Sequence, residues 1–409
     1  MATAKEITYK YRWVILGVVW LAFTSIWIQR LSIPPLSPFL RDNLSFTHTQ
    51  IGLLMSAAAF ASLLIQVPSG WLVDRIGIRP VLLICQVIGA IFLLGMSRIN
   101  SFTSAIIFMS LVGLWCGGLT PATTKGVIDW FPIRERATVM GFKQTGVNIG
   151  GVIMASTMPS IALAWGWRSC FLLIGGLVIA FGIITFALYK NPAEKVVPSV
   201  AVPSTTASSG GLLRGVLLSR EILCLSFGSM FISMVEFGAI THLAVYLNEV
   251  VLFTTVVAGL GLAVLEFGGA FGKPLAGLLS DRVFGSSRKK PFVLMAFIAG
   301  LLCAALIFIN QTIPPWFLFT ILAILGLTAV GWGGLWLTLV GEFATKEHTG
   351  IVVGFSTMIV ALGSAIGPTV FGYLVDLSGS YRTAWLCLAI FAAMCGILIF
   401  FVRESKRVR

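Results

Sequence analysis

Apolar positions along this chain follow neither the alternation of a strand nor the single stripe of a surface helix. They fill long runs that begin near residues 13, 48, 80, 102, 137, 168, 220, 254, 291, 315, 349 and 382. A hydrocarbon core of about 30 Å takes about 20 helical residues, so each run is long enough to cross a membrane and too long for a buried strand. Pro and Gly inside the runs are compatible with membrane helices when neighbouring helices satisfy the freed backbone groups. The pattern predicts an all-α membrane protein with twelve transmembrane helices, six in each half.

The two halves repeat. A shift of 207 residues lays Gly70, Asp74 and Arg75 of "GWLVDRIGIRP" onto Gly277, Asp281 and Arg282 of "GLLSDRVFGSSRKKP". A shift of 213 residues lays "DWF" at Asp129 near "EFA" at Glu342, and "GFKQTGVNIGG" from Gly141 onto "GFSTMIVALGS" from Gly354. Repeated membrane halves are typical of secondary transporters, whose substrate site lies at the repeat interface near the bilayer midplane. The expected domains are a six-helix bundle over 1–190, a Pro/Ser/Thr-rich cytoplasmic linker over 191–219 and a second bundle over 220–409.

Composition agrees with this reading and narrows it. Hydrophobic residues are 57% of the chain and charged residues 11%, with mean hydropathy +0.98, where soluble chains carry about a quarter charged residues. The net charge of +13 raises the question of nucleic acid, but its distribution answers otherwise. The even loops and the termini hold most of the Lys and Arg, while the odd loops hold only Arg41, Arg98, Arg168 and Arg382. Basic residues collect in cytoplasmic loops, so both termini are expected in the cytoplasm, with no role for nucleic acid. The first run continues well past a signal-peptide core and no small-residue cleavage site follows it. The seven cysteines lack metal-type spacing and read as small apolar residues. There is no Walker-type loop and no HExxH helix, so no cofactor, metal or enzymatic reaction is expected, and the driving energy falls to a gradient.

With twelve helices in two repeated halves and Gly70, Asp74, Arg75, Gly77 and Arg79 in the pattern Gly, x, x, x, Asp, Arg, x, Gly, x, Arg, the chain resembles transporters of the major facilitator superfamily. Gly277, Asp281, Arg282 and the cluster Arg288, Lys289 and Lys290 match the second copy more loosely. Such a glycine allows close helix approach, and the charges can pair across a seam. The resemblance implies that these loops hold a cytoplasmic gate, with Asp129 and Glu342 as partners of the basic residues. Within the superfamily, "FPIRERATVMGFKQTGVNIGG" followed by "AWGWRSCF" is similar to anion:cation symporters and cyanate-permease-like proteins. No Pro interrupts Gly146, Gly150 and Gly151, unlike the drug/proton antiporters. Many anion:cation symporters carry an Asp before the Arg of helix one, where this chain has Gln29 before Arg30.

Ionisable residues inside membrane helices cost about 2.5 to 3.5 kcal/mol each on insertion scales, which makes the embedded ones candidates for chemistry. Arg30 lies in the far half of helix one and, with Gln29, corresponds under the repeat to Phe237 and Glu236 of helix seven. Lys273 corresponds to Gln66 of helix two. Glu266 precedes Lys273 by seven residues, a spacing too long for direct pairing on one straight helix, so Glu266 and Glu236 are expected to meet Arg30 or a coupling proton. Lys143 enters helix five beside Gln144 and Thr145. Lys125 is placed either to snorkel or to pair with Asp129 one turn later. Four cations and two acids, all ionised, favour an anion.

The expected substrate-binding residues are therefore Arg30, Lys143, Lys273, Gln29, Gln66 and Lys125, and the expected proton-coupling residues Glu236 and Glu266. His242 is expected as a polar interface residue or a relay, and Asn148 and Tyr246 as polar wall residues. The reading is a monomeric carrier of the bacterial inner membrane that moves a small organic anion by alternating access with a proton. An anion exchanger, a proton-driven drug exporter and a nontransporting sensor or scaffold are the alternatives.

Overall fold

The computed structural model describes residues 4–191, 217–285, 287–343 and 349–403. Most of the expected linker and the two chain ends lie outside these residues. The first half contains α1 (Ala4–Arg30), α2 (Ile33–Leu44), α3 (His48–Ile76), α4 (Ile78–Gly95), α5 (Phe102–Trp130), α6 (Ile133–Trp165) and α7 (Trp167–Leu188). The second contains α8 (Arg220–Glu249), α9 (Thr255–Arg282), α10 (Lys289–Leu306), α11 (Pro315–Ala329), α12 (Gly333–Phe343), α13 (Thr349–Ser378) and α14 (Tyr381–Phe400). They form twelve candidate spans, because α1 with α2, and α11 with α12, each make one interrupted crossing. Pro34 and Pro35 follow the first break, where a proline cannot donate a helical hydrogen bond and disfavours helix in the residue before it.

Helix starts are set by local chemistry. Ser101, Ser219, Thr254 and Ser380 cap α5, α8, α9 and α14 through side-chain oxygens that accept backbone N–H groups, satisfying donors that lack an intrahelical partner. Gly77, with φ 89°, separates α3 from α4 in a conformation that costs other residues dearly. Large apolar side chains such as Val67, Leu301 and Phe308 are largely exposed on the helix exteriors, as a lipid-facing surface requires.

The chain divides into two compact units: residues 1–44 with 57–204, and residues 45–56 with 205–409. The boundary differs from the expected one in one respect. The first turns of α3 belong by their contacts to the second unit, while the rest of α3 belongs to the first. Inside unit 1, α1 packs on α5, α6 and α7, and α4 on α5 and α7. Inside unit 2, α8 packs on α13, α14 and α9, and α10 on α14.

The repeat reappears as packing. On α6, a Cβ at Gly146 would collide with Thr24 of α1, and one at Gly150 would crowd the Ile28 backbone. On α13, Cβ atoms at Gly363 and Gly367 would collide with the Met230 and Met234 carbonyls of α8. Both helix pairs thus approach through glycines four residues apart, the spacing that lines one helical face and permits backbone contact where no water drives association.

Candidate functional site

Unit 1 carries two embedded cations on a ladder of rings. Trp20, Phe23, Trp27 and Arg30 recur at intervals of three and four and so share one face of α1. Lys143 of α6 is 3% exposed. Its Nζ donates to Thr124 Oγ1 at 3.1 Å and sits 4.5 Å from the Phe23 ring centroid. Phe23 meets Trp27 edge-on at 6.5 Å, and the Arg30 guanidinium carbon lies 5.1 Å from the Trp27 ring centroid. Arg30 Nε is buried without a hydrogen-bond partner. Among the described residues neither cation forms an ion pair with a carboxylate. Rings and a hydroxyl offset part of the desolvation of these charges, and an entering anion can supply the rest.

Unit 2 presents a different set. Glu236 of α8 is 9% exposed and Glu266 of α9 is 2% exposed. Both acids are within electrostatic reach of the half-buried Lys273 of α9 and of each other. The indole Nε1–H of Trp332, in the break between α11 and α12, donates to Glu236 Oε2 at 3.0 Å. Nearby, Trp336 donates to Ser356 Oγ at 3.0 Å, and Ser226 donates to the same oxygen at 2.9 Å. Two buried carboxyl groups and one ammonium therefore lie close enough to influence one another's charge, a grouping that can hold and release a proton.

Other expected positions fall elsewhere. Gln29 is fully buried and donates to the Ser25 carbonyl at 3.1 Å. It begins a polar line through the bundle in which Ser25 Oγ approaches Gln86 Oε1 at 3.3 Å and Gln86 Nε2 donates to Thr185 Oγ1 at 2.8 Å. Gln66 is half-buried on α3. Tyr246 donates to the Leu306 carbonyl at 2.7 Å, and Asn148 is fully buried. His242 is fully buried rather than interfacial; its Nε2 lies 2.9 Å from the Pro368 carbonyl and its ring stacks on Phe371.

The loop motif also departs from expectation in detail. Lys125 pairs with Asp74, not with Asp129 one turn away. Asp281 pairs with Arg288 of its own loop. Arg75 lies over the Trp71 ring at 5.2 Å, while Arg79 donates to the Phe186 carbonyl at 2.7 Å. Among the described residues a Cβ at Gly70 or Gly277 would meet nothing within 4 Å, so the close helix approach expected of these glycines is not found there; Gly77 is the motif glycine with a conformational need. Asp129 is half-buried near Tyr189, whose hydroxyl is pushed to higher pKa by burial and, secondarily, by that carboxylate. Arg282 and Glu342 are exposed at helix ends. The contacts of Trp332 with Glu236 and of Thr124 and Phe23 with Lys143 cross from one helix to another, so no spacing along a single helix foretells them.

Comparison with known proteins follows the same lines. The family profile described as Major Facilitator Superfamily matches residues 16–368. The chain is 26% identical to a probable sulfoacetate transporter of Cupriavidus necator, covering 95% of this chain and 92% of that protein. It is 24% identical to the hexuronate transporter of Bacillus subtilis, covering 92% and 91%. It is also 24% identical to a D-galactonate transporter of Escherichia coli O6:H1, covering 97% of each. A bacterial homologue of the human lysosomal transporter Spinster, solved in an inward-facing and occupied conformation, matches with TM-score 0.77 at 20% identity over 96% of this chain and 97% of that one. At that identity the likeness concerns the fold alone. With its twelve spans and repeated bundles, this chain is a multi-pass membrane transporter, not an enzyme, and belongs to the Major Facilitator Superfamily.

Proposed function

We propose that the chain carries a small organic anion, a carboxylate or sugar acid, across the bacterial inner membrane by alternating access with a cotransported proton. The observation that carries this reading is the pair of embedded cations in unit 1, Arg30 and Lys143, held by rings and a hydroxyl rather than by carboxylates. A guanidinium matches a carboxylate with two parallel donors, and an ammonium adds a point charge. The named substrates of the relatives, sulfoacetate, hexuronate and galactonate, are all organic anions. Proton coupling is assigned to Glu236 and Glu266, which both lie within electrostatic reach of Lys273. A proton on one carboxyl leaves the other to balance the ammonium, and loss of that proton changes the charge of the unit by one. The loop distribution of Lys and Arg supports cytoplasmic termini, and the protein is taken to act as a monomer.

The test is uptake of radiolabelled monocarboxylates, dicarboxylates, sulfonates and sugar acids into proteoliposomes, with and without an inward proton gradient. Accumulation of one anion above equilibrium only with the gradient is the expected result. Gradient-independent exchange would replace the symporter with an anion exchanger, and absence of flux for every anion would remove the anion reading.

A further inference from the structure

Helix α3 begins inside unit 2, and its first turn is held there by polar groups that the anion and proton sites above do not include. Thr47 and Gln50 cap each other reciprocally: Thr47 N donates to Gln50 Oε1 at 3.0 Å, and Gln50 N to Thr47 Oγ1 at 3.2 Å. The next two backbone donors, His48 N and Thr49 N, go to the two oxygens of Asp376 at 3.1 and 2.7 Å. Asp376, near the end of α13, thus caps another helix's positive end.

The His48 ring stands between two carboxylates. Its Nδ1 is 2.7 Å from Asp376 Oδ1, and its Nε2 is 3.1 Å from Glu249 Oε2 at the end of α8. Tyr381 Oη, at the start of α14, lies 2.8 Å from Nε2 and donates to Glu249 Oε2 at 2.8 Å. The ring side chain is 10% exposed. The backbones are in direct contact here, since a Cβ at Gly372 would collide with the His48 carbonyl and one at Gly52 with Pro368. Ser56 and Thr369 hydroxyls meet at 2.6 Å.

Counting hydrogens separates the two forms of the ring. A protonated imidazole has two N–H donors, one for each carboxylate, and Tyr381 adds its own to Glu249. A neutral ring has one. With that proton on Nδ1, the Nε2 lone pair faces Glu249 unless Tyr381 turns its proton to the ring, and Glu249 then loses both of these donors. With it on Nε2, a lone pair faces Asp376. We propose that His48, Asp376, Glu249 and Tyr381 form a proton-binding site that clamps the start of α3 to α8, α13 and α14 when occupied and loosens it when the proton leaves.

Among the described residues, the titratable groups in contact with the ring are Glu249 from α8, Asp376 from α13 and Tyr381 from α14, followed there by the exposed Arg382. The next charge along α3 itself is Asp74. His242 lies deeper, stacked on Phe371 and held to the Pro368 carbonyl. Only a ring that holds both protons completes the clamp, so the start of α3 is expected to be better protected at low pH than at high pH. The remainder of α3 packs in unit 1, where a Cβ at Gly113 or Gly117 of α5 would collide with Ala58 or Ser62. The clamp therefore acts on a helix divided between the two units.

Hydrogen–deuterium exchange of the full-length protein in lipid nanodiscs tests this independently of any substrate. Peptides covering residues 45–56 are compared at about pH 5.5 and about pH 8, each corrected against an unfolded reference. The amides of His48 and Thr49 are expected to lose roughly tenfold in protection at the higher pH. In His48→Gln their protection is expected to be the same at both values, at the lower wild-type level. Glu249→Gln, which keeps the ring but replaces the carboxylate that faces Nε2 with an amide, is expected to lower the low-pH protection of these amides severalfold. Equal wild-type protection at the two pH values, a pH step that survives in His48→Gln, or full wild-type protection at low pH in Glu249→Gln would each overturn the proposal.

Discussion

The two units share a packing scheme and differ in chemistry. Paired glycines bring α6 onto α1 in unit 1 and α13 onto α8 in unit 2, yet the side chains at equivalent positions have diverged. Arg30 of α1 corresponds to Phe237 of α8, Gln29 to Glu236, Gln66 to Lys273 and Lys143 to Ser356. Unit 1 thereby keeps cations among rings and a hydroxyl, and unit 2 keeps two acids around one lysine. Backbone approach between membrane helices depends on small residues and tolerates little change. The polar groups inside each bundle are not so constrained, which leaves room for the proposed division of an anion in one repeat and a proton in the other.

The strongest way to break this comparison is Arg30→Ala. If Arg30 receives the anion's carboxylate, removing it costs a charged contact of at least about 2 to 5 kcal/mol, or roughly a hundredfold in uptake; unchanged uptake in proteoliposomes would take Arg30 out of the site. Next in size is Glu236→Gln, which is expected to abolish accumulation against a gradient while leaving counterflow exchange intact. Trp332→Phe sharpens the assignment further, because it deletes the indole donor to Glu236 and preserves most of the ring. Loss of a hydrogen bond to a charged group is worth about 1.5 to 3 kcal/mol, so gradient-driven uptake should fall about tenfold with counterflow little changed. Smallest is Asp74→Asn, which weakens the exposed pair with Lys125. Such pairs contribute modestly, and a loss of about two- to fivefold in transport with normal surface expression is expected; full activity would remove Asp74 from any gating role.

The spans were legible in the chain because a membrane helix must be long, apolar and closed on its own hydrogen bonds. The runs near 48, 102, 220, 315 and 349 coincide with the starts of α3, α5, α8, α11 and α13. The two interrupted crossings were not legible, since a run that breaks and resumes still reads as one length of apolar sequence. Embedded charges could be found by their rarity, but their partners could not. Lys125 sits one helical turn from Asp129 and meets Asp74 on another helix. Lys273 and Glu266 lie within electrostatic reach of Glu236, which comes from another helix. Gln29 adjoins Arg30 in sequence, yet neighbouring residues on a helix point about 100° apart, and it faces the bundle interior. His48 drew no notice as a lone histidine at a helix start, because its carboxylates arrive from positions 249 and 376.

The central claim is that unit 1 receives the anion and unit 2 the proton. It is tested most directly by measuring gradient-driven accumulation and counterflow exchange of the same anion in matched proteoliposomes of wild type, Arg30→Ala and Glu236→Gln. The account predicts that Arg30→Ala loses both activities and Glu236→Gln loses accumulation alone. Counterflow lost in Glu236→Gln together with counterflow kept in Arg30→Ala would contradict it.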